Sequence, residues 1–219
     1  MVRRAANGLV ACAALAAVAL ACDLTAPADG PPSYSQVPDF ELIDRRGNVF
    51  TREDLRGKVF VADFIFASCT SMCPMLSSEM ARIQRTLEVE PFWDEIRLVS
   101  ISVDPEHDTP EVLAEYADRY DADPEHWRFL TGAREEIWSL SVDGFKLAVG
   151  DAPAGADEPL FHSDRFVLAD REGRIRGYYD ALSPDGRAKL LADLRAVVGA
   201  PAETSSAPGS LAGQRGNPE

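Results

Sequence analysis

One stretch limits the folds open to this chain more than any other. Lys58–Phe66 reads as a strand, and the apolar run that begins at Val59 puts Val, Phe and Ile on both of its faces, interrupted only by Asp63. A strand apolar on both faces needs cover on both sides, as in a parallel α/β sheet. The run leads into Ser68-Cys69-Thr-Ser-Met-Cys73-Pro74, after which apolar residues fall at Met75, Leu76, Met80, Ile83 and Leu87, close to helical spacing through about Val89. Two thiols therefore stand at a strand-to-helix turn, where an open α/β sheet presents its chemistry.

The remaining elements follow in chain order. Asp39-Phe-Glu-Leu-Ile, the turn Arg45-Arg-Gly-Asn48 and Val49-Phe50 read as a β-hairpin. Thr51 with Asp54 has the spacing of a capped helical turn that stops at Gly57. Ile96–Val103 is the second core strand. Thr109-Pro110 then opens a helix that buries Val112, Leu113, Tyr116, Ala117 and Tyr120. Trp127-Arg-Phe-Leu-Thr131 is a third strand, and a helix follows from about Ala133 to Ser141. Residues 142–159, rich in Gly, Ala, Pro and Asp, read as a surface loop over the active end. A strand at Arg165–Ala169, a turn at Asp170–Gly173, a strand at Arg174–Tyr179 and a helix over residues 184–198 complete the domain. The order hairpin, βαβαβα, ββα predicts an α/β, thioredoxin-like fold: a central mixed sheet flanked by helices, with an N-terminal β-hairpin extension.

The ends of the chain differ in composition from this domain. Arg3 and Arg4 precede a nearly unbroken Ala/Val/Leu run from Leu9 to Ala21, and Cys22 follows. This is the pattern of a bacterial export signal, and its apolar part is short for a membrane span. Ala19-Leu-Ala-Cys22 resembles a lipobox, with Ala19 where that pattern prefers Leu. The expectation is a lipoprotein signal over residues 1–21, lipidation of Cys22, a flexible tether over 22–36, a folded domain over 37–199 and a disordered tail over 200–219. The chain then sits at the periplasmic face of the bacterial cell membrane, anchored by lipid. The formal charge of -14 over 219 residues excludes the basic footprint of a nucleic-acid binder.

Of the four cysteines, Cys12 leaves with the signal and Cys22 goes to lipid, so Cys69 and Cys73 remain. A bridge between them closes too small a loop to add much stability, so chemistry explains the pair better. Pro74 pushes Cys73 toward extended backbone and suits the first position of the helix, whose N-terminal dipole favours thiolate. Three intervening residues make a wider loop than Cys-x2-Cys. The pair can close a Cys69–Cys73 disulfide, remain as two inert thiols, or hold its sulfurs apart around a metal. Two thiolates and one imidazole suit copper(I); with an added ligand the set suits copper(II) or zinc. His107 lies in a Pro/Asp-rich turn, His126 at a strand entrance, and His162 after the long loop, facing the cysteine turn across the active end of such a sheet.

Three separated motifs then resemble one family. Phe66-Ala-Ser-Cys69-Thr-Ser-Met-Cys73-Pro74 looks like the Cys-x3-Cys-Pro signature of Sco/SenC proteins. Ser102-Val-Asp104-Pro-Glu-His-Asp108-Thr-Pro110 is similar to that family's Ser-Val-Asp-Pro-x-x-Asp-Thr-Pro segment, and His162-Ser163 to its ligand segment. The resemblance implies a membrane-attached, thioredoxin-like protein that binds copper, as Cu(I) or Cu(II), through Cys69, Cys73 and His162. It implies delivery to the Cu-A domain of cytochrome c oxidase subunit II, with other periplasmic copper carriers as further partners, or reduction of the Cu-A cysteines. Met72 and Met75 are expected as a loop residue and a core residue. Asp104 and Asp108 are expected to be structural. The alternatives are a periplasmic thiol–disulfide oxidoreductase with Cys69 attacking, and a redox- or copper-sensing lipoprotein. The Pro-x3-Thr-x2-Cys arrangement of peroxiredoxins is absent from the sequence.

Overall fold

The computed structural model describes residues 30–156 and 158–199. The export segment with Cys22, the first part of the tether and the C-terminal tail lie outside the described residues.

The sheet is built as the alternation of elements requires. Among the described residues nine strands, β1 (Glu41–Asp44), β2 (Val49–Thr51), β3 (Val59–Ile65), β4 (Ile96–Ser102), β5 (Trp127–Thr131), β6 (Val149–Asp151), β7 (Leu160–His162), β8 (Arg165–Ala169) and β9 (Ile175–Asp180), interleave with four helices. These are α1 (Cys73–Leu87), α2 (Pro110–Asp118), α3 (Arg134–Ser139) and α4 (Pro184–Gly199). Seven strands form one mixed sheet in the order β2-β1-β5-β4-β3-β8-β9. β3, β4 and β5 are parallel, and β8 and β9 add antiparallel partners beyond β3. Every residue of β3 is buried, which accounts for its unbroken apolar run.

Local signals set the element ends. Thr51 N–H and Oγ1 both donate to Asp54 Oδ2, at 2.7 and 2.8 Å, and close the expected single turn. Gly57, at φ +74°, ends it in a conformation that a side chain would strain. Thr109 caps α2 by accepting from Val112 N–H, with Pro110 in the first turn. In α1 the buried stripe is Leu76, Met80, Ile83 and Leu87, all fully buried. Met75 is half exposed, not core, because it falls one position out of phase with that stripe.

The cover on the two faces can be read from contacts. α1 and α2 are tied by Ser77 Oγ and Tyr116 OH at 2.9 Å, and α4 is tied to α1 by an Arg187–Glu79 ion pair. Phe64 of β3 meets the segment after α3, lying edge-on to Phe145 at 5.5 Å.

Two stretches are more ordered than their composition suggests. Residues 142–159 are not simply a surface loop: Phe145 is buried after a π-type turn over Leu140–Gly144, and β6 pairs antiparallel with β7. The described part of the proline-rich segment is docked along β9. Tyr34 N–H donates to Ile175 O, Ile175 N–H to Ser35 O and Val37 N–H to Gly173 O. Arg176 reaches the Pro31 carbonyl from Nε at 3.0 Å. The packed domain thus reaches back ahead of Val37.

Candidate metal and thiol site

β3 delivers the first thiol and α1 the second. Cys69 Sγ accepts from Cys73 N–H at 3.4 Å, which folds the three intervening residues over the helix start. Cys73 is itself the first helical residue, with Pro74 second. The steric bias of proline against a helical predecessor does not hold here: Cys73 is helical although Pro74 follows it. Both thiols are free, and Cys69 keeps 6% of its surface exposed against none for Cys73.

His162 arrives from β7, and its Nε2 stands 3.1 Å from Cys73 Sγ. Its Nδ1 lies 2.9 Å from the Ser163 carbonyl. A carbonyl only accepts, so Nδ1 carries a proton; a neutral ring then presents a lone pair at Nε2, and a protonated ring donates from Nε2 to sulfur. That lone pair can take the Cys73 thiol proton or a soft metal ion. Phe66 packs edge-on against the imidazole at 5.6 Å.

The two sulfurs differ in acidity. Burial pushes the Cys69 thiol up, but hydrogen bonds from His162, the Cys73 amide and Ser71 together outweigh it and bring Cys69 down to about 6. Burial raises Cys73 far above the ordinary thiol range, and the neighbouring Cys69 and Asp63 add to this. The imidazole touches Cys73, yet its acidifying effect falls on Cys69. The 3.1 Å contact makes Cys73 its first partner, and Cys69 gains through the shared cluster. Cys69 is thus the thiolate of the pair and Cys73 the protonated, buried sulfur.

The Asp104–Asp108 segment is structural, and it braces the site. Asp108 Oδ2 accepts from Ala67 N–H at 2.9 Å and from Ser102 Oγ at 2.5 Å, fixing the exit of β3 toward Cys69. Asp104 is buried and pairs with the exposed His107, whose Nδ1 lies 2.9 Å from Oδ1. His126 stacks on Trp93 at 4.3 Å between Asp94 and Asp123. Neither histidine contacts the thiols in any described interaction. Beneath the thiols lies Asp63, fully buried. Ser100 Oγ donates to its Oδ1 at 2.6 Å, while Oδ2 has no partner among the described residues.

Sequence reasoning missed Glu158. From the turn before β7, its carboxylate accepts from Thr70 N–H at 2.9 Å and from Thr70 Oγ1 at 3.0 Å. These bonds hold it below the usual carboxylate range. No local motif marks a residue whose partner lies 88 positions away.

Among the described residues, no group of three or more His, Cys, Asp and Glu side chains is drawn together tightly enough to hold a metal ion as it stands. Cys73 and His162 are in contact and Cys69 adjoins Cys73, so two soft thiols and one imidazole lone pair share one end of the sheet. That donor set fits copper.

A thioredoxin-like domain with two thiols and an imidazole at one end of its sheet is the class that fold and site define. The family model described as SCO1/SenC matches residues 29–199, and the chain belongs to that family. A SCO1 protein homolog of Bacillus subtilis is 31% identical over 167 residues, covering 76% of this chain and 84% of the relative. The structure of BsSco, described as a member of the Sco family of cytochrome c oxidase assembly proteins with a disulfide switch, is 30% identical with a TM-score of 0.66. It covers 76% of this chain and 95% of that one. The Bradyrhizobium japonicum ScoI structure with copper bound is 26% identical with a TM-score of 0.62, covering 74% of this chain and 99% of that one.

Proposed function

We propose that this chain is a copper carrier that holds copper on Cys69, Cys73 and His162 and passes it to the Cu-A domain of cytochrome c oxidase subunit II. The observation that carries the reading is the contact of Cys73 Sγ with His162 Nε2 at 3.1 Å, with Nδ1 turned to the Ser163 carbonyl. This arrangement presents an imidazole lone pair to a thiol, as a shared metal site requires. The copper-bound relative supports the choice of metal, and the oxidase-assembly relative supports the recipient. Other periplasmic copper carriers are suited to load the site. Cys22 carries lipid and holds the domain at the periplasmic face of the membrane. Mass spectrometry of detergent-extracted protein should find Cys22 as an acylated N-terminus; an unmodified one would refute the anchor.

The test of the main reading is copper binding by His162→Ala. The variant should bind copper more weakly while both thiols remain titratable. Binding as tight as wild type would remove His162 from the site.

A second reading, reduction of the Cu-A cysteines, is favoured by the unequal thiols. A thiolate at Cys69, which keeps 6% of its surface exposed, and a fully buried, protonated Cys73 are the attacking and resolving partners of dithiol exchange. The Cys69 thiolate would attack the disulfide of the substrate, breaking its S–S bond, releasing one substrate thiolate and forming a mixed disulfide with the other sulfur. Cys73, after losing its proton to His162 Nε2, would displace the substrate thiolate and leave a Cys69–Cys73 disulfide. Two electrons pass from this chain to the substrate. Turnover on an oxidised Cu-A domain in the presence of a copper chelator would show this activity.

A further inference from the structure

The strand that carries His162 is attached to the domain in an unusual way. β6 and β7 form a two-stranded sheet of their own and pair with no strand of the seven-stranded sheet. At one end the hairpin is continuous with β8, which begins three residues after His162. At the other end, across the turn before β7, no backbone ladder among the described residues holds it to the core. There Glu158 reaches over to the cysteine loop.

The loop has few main-chain donors to be reached. Cys69 N–H goes to the Phe66 carbonyl and Cys73 N–H to Cys69 Sγ. Thr70 N–H goes to Glu158, and the Thr70 hydroxyl goes to the same Oε1. One surface carboxylate therefore joins the residue after Cys69 to the segment four residues before His162. Charge-assisted bonds of this kind are stronger than neutral ones. What fixes this flexible side chain is its polar contact with the cysteine loop: two bonds from Thr70, joined by interaction with Ser71.

We infer that Glu158 is a positioning residue: through Thr70 it clamps the Cys69 loop against the hairpin bearing His162, keeping the thiols and the imidazole preorganised for one copper ion. This rests on the copper-carrier reading. Outer partners that orient metal ligands change affinity by about 10–100-fold when removed, and a clamp on a ligand loop belongs in that range.

The experiment compares full-length wild type with Glu158→Ala and Glu158→Gln, all reduced. Three quantities are measured: copper affinity by competition with a chromophoric chelator, thermal midpoint, and the rate of Cys69 alkylation by iodoacetamide without metal. Glu158→Ala should bind copper about tenfold or more weakly at an unchanged midpoint, and its Cys69 should be alkylated severalfold faster. Glu158→Gln keeps an acceptor oxygen and should recover part of both losses. Affinity and alkylation equal to wild type would overturn the clamp. So would losses that appear only alongside a lowered midpoint, which mark a general structural role. If wild type itself binds no copper, the copper reading fails, and the alkylation rates still decide whether Glu158 holds the loop.

Discussion

The two halves of the site stand on different foundations. Cys69 and Cys73 lie at the end of β3, which is buried along its whole length and paired on both sides, by β4 and β8. His162 lies on a three-residue strand whose ladder partner is another three-residue strand. The thiol half is held by a core, and the imidazole half by side-chain contacts: Cys73, Phe66 and, through its turn, Glu158. On the proposed copper-carrier reading, which requires release of the bound ion, this difference is useful. Moving the hairpin opens the site at the cost of a few contacts and leaves the sheet intact, as expected of the least stable part of a fold.

Several variants would break or sharpen this contrast. The largest effect should come from the thiol half. Phe64→Ala removes a fully buried ring that packs on Phe145, and denaturant unfolding should show a loss of about 3–5 kcal/mol. A loss under about 1 kcal/mol would mean that the core does not carry the thiols as described.

Asp63 should come next. Burial raises its carboxyl to about 7, against hydrogen bonding from Ser100 and the charge of His162, which lower it. The folded state therefore keeps a proton that the unfolded chain gives up near the ordinary value of 3.8. The native state binds more protons between those values, so stability falls as pH rises from about 4 to about 7. Asp63→Asn should flatten this slope, with a gain over wild type that grows to a few kcal/mol by neutral pH. Urea midpoints across that range would check it, and an unchanged slope would contradict the buried charge.

The link between the halves should show in Cys69. Its alkylation should rise through a midpoint near pH 6, while Cys73 stays unreactive there. His162→Ala should move that midpoint toward the ordinary thiol value of about 8.5 and slow the reaction at pH 6–7 by roughly tenfold or more. A midpoint that stays put would uncouple the hairpin from the thiols. The smallest effect belongs to the outer face of the hairpin. Phe161 is 47% exposed, and Phe161→Ala should shift stability by no more than about 0.5 kcal/mol.

The same contrast separates what the sequence makes legible from what it hides. The thiol half is written locally. An apolar run buried on both faces, a Thr-Pro helix start at Thr109-Pro110 and strands spaced by helices each depend on neighbours in the chain, so the mixed α/β architecture follows from them. The family motifs then supply His162. The imidazole half is written in distant pairings. Val149-Gly-Asp has little strand propensity by itself and becomes β6 only because Leu160–His162 lies beside it. Glu158 finds Thr70 across the fold, and Pro31 finds Arg176. Met75 misleads for a different reason: counting apolar residues along α1 ignores phase, and only the Leu76, Met80, Ile83, Leu87 stripe faces the sheet.

The most direct measurement of the central claim is copper titration of the reduced protein, followed by X-ray absorption to count the neighbours of the bound ion. The account predicts one copper ion per chain with two sulfurs and one nitrogen around it, and loss of the nitrogen in His162→Ala. No stoichiometric binding, or a copper site with no nitrogen in wild type, would contradict it.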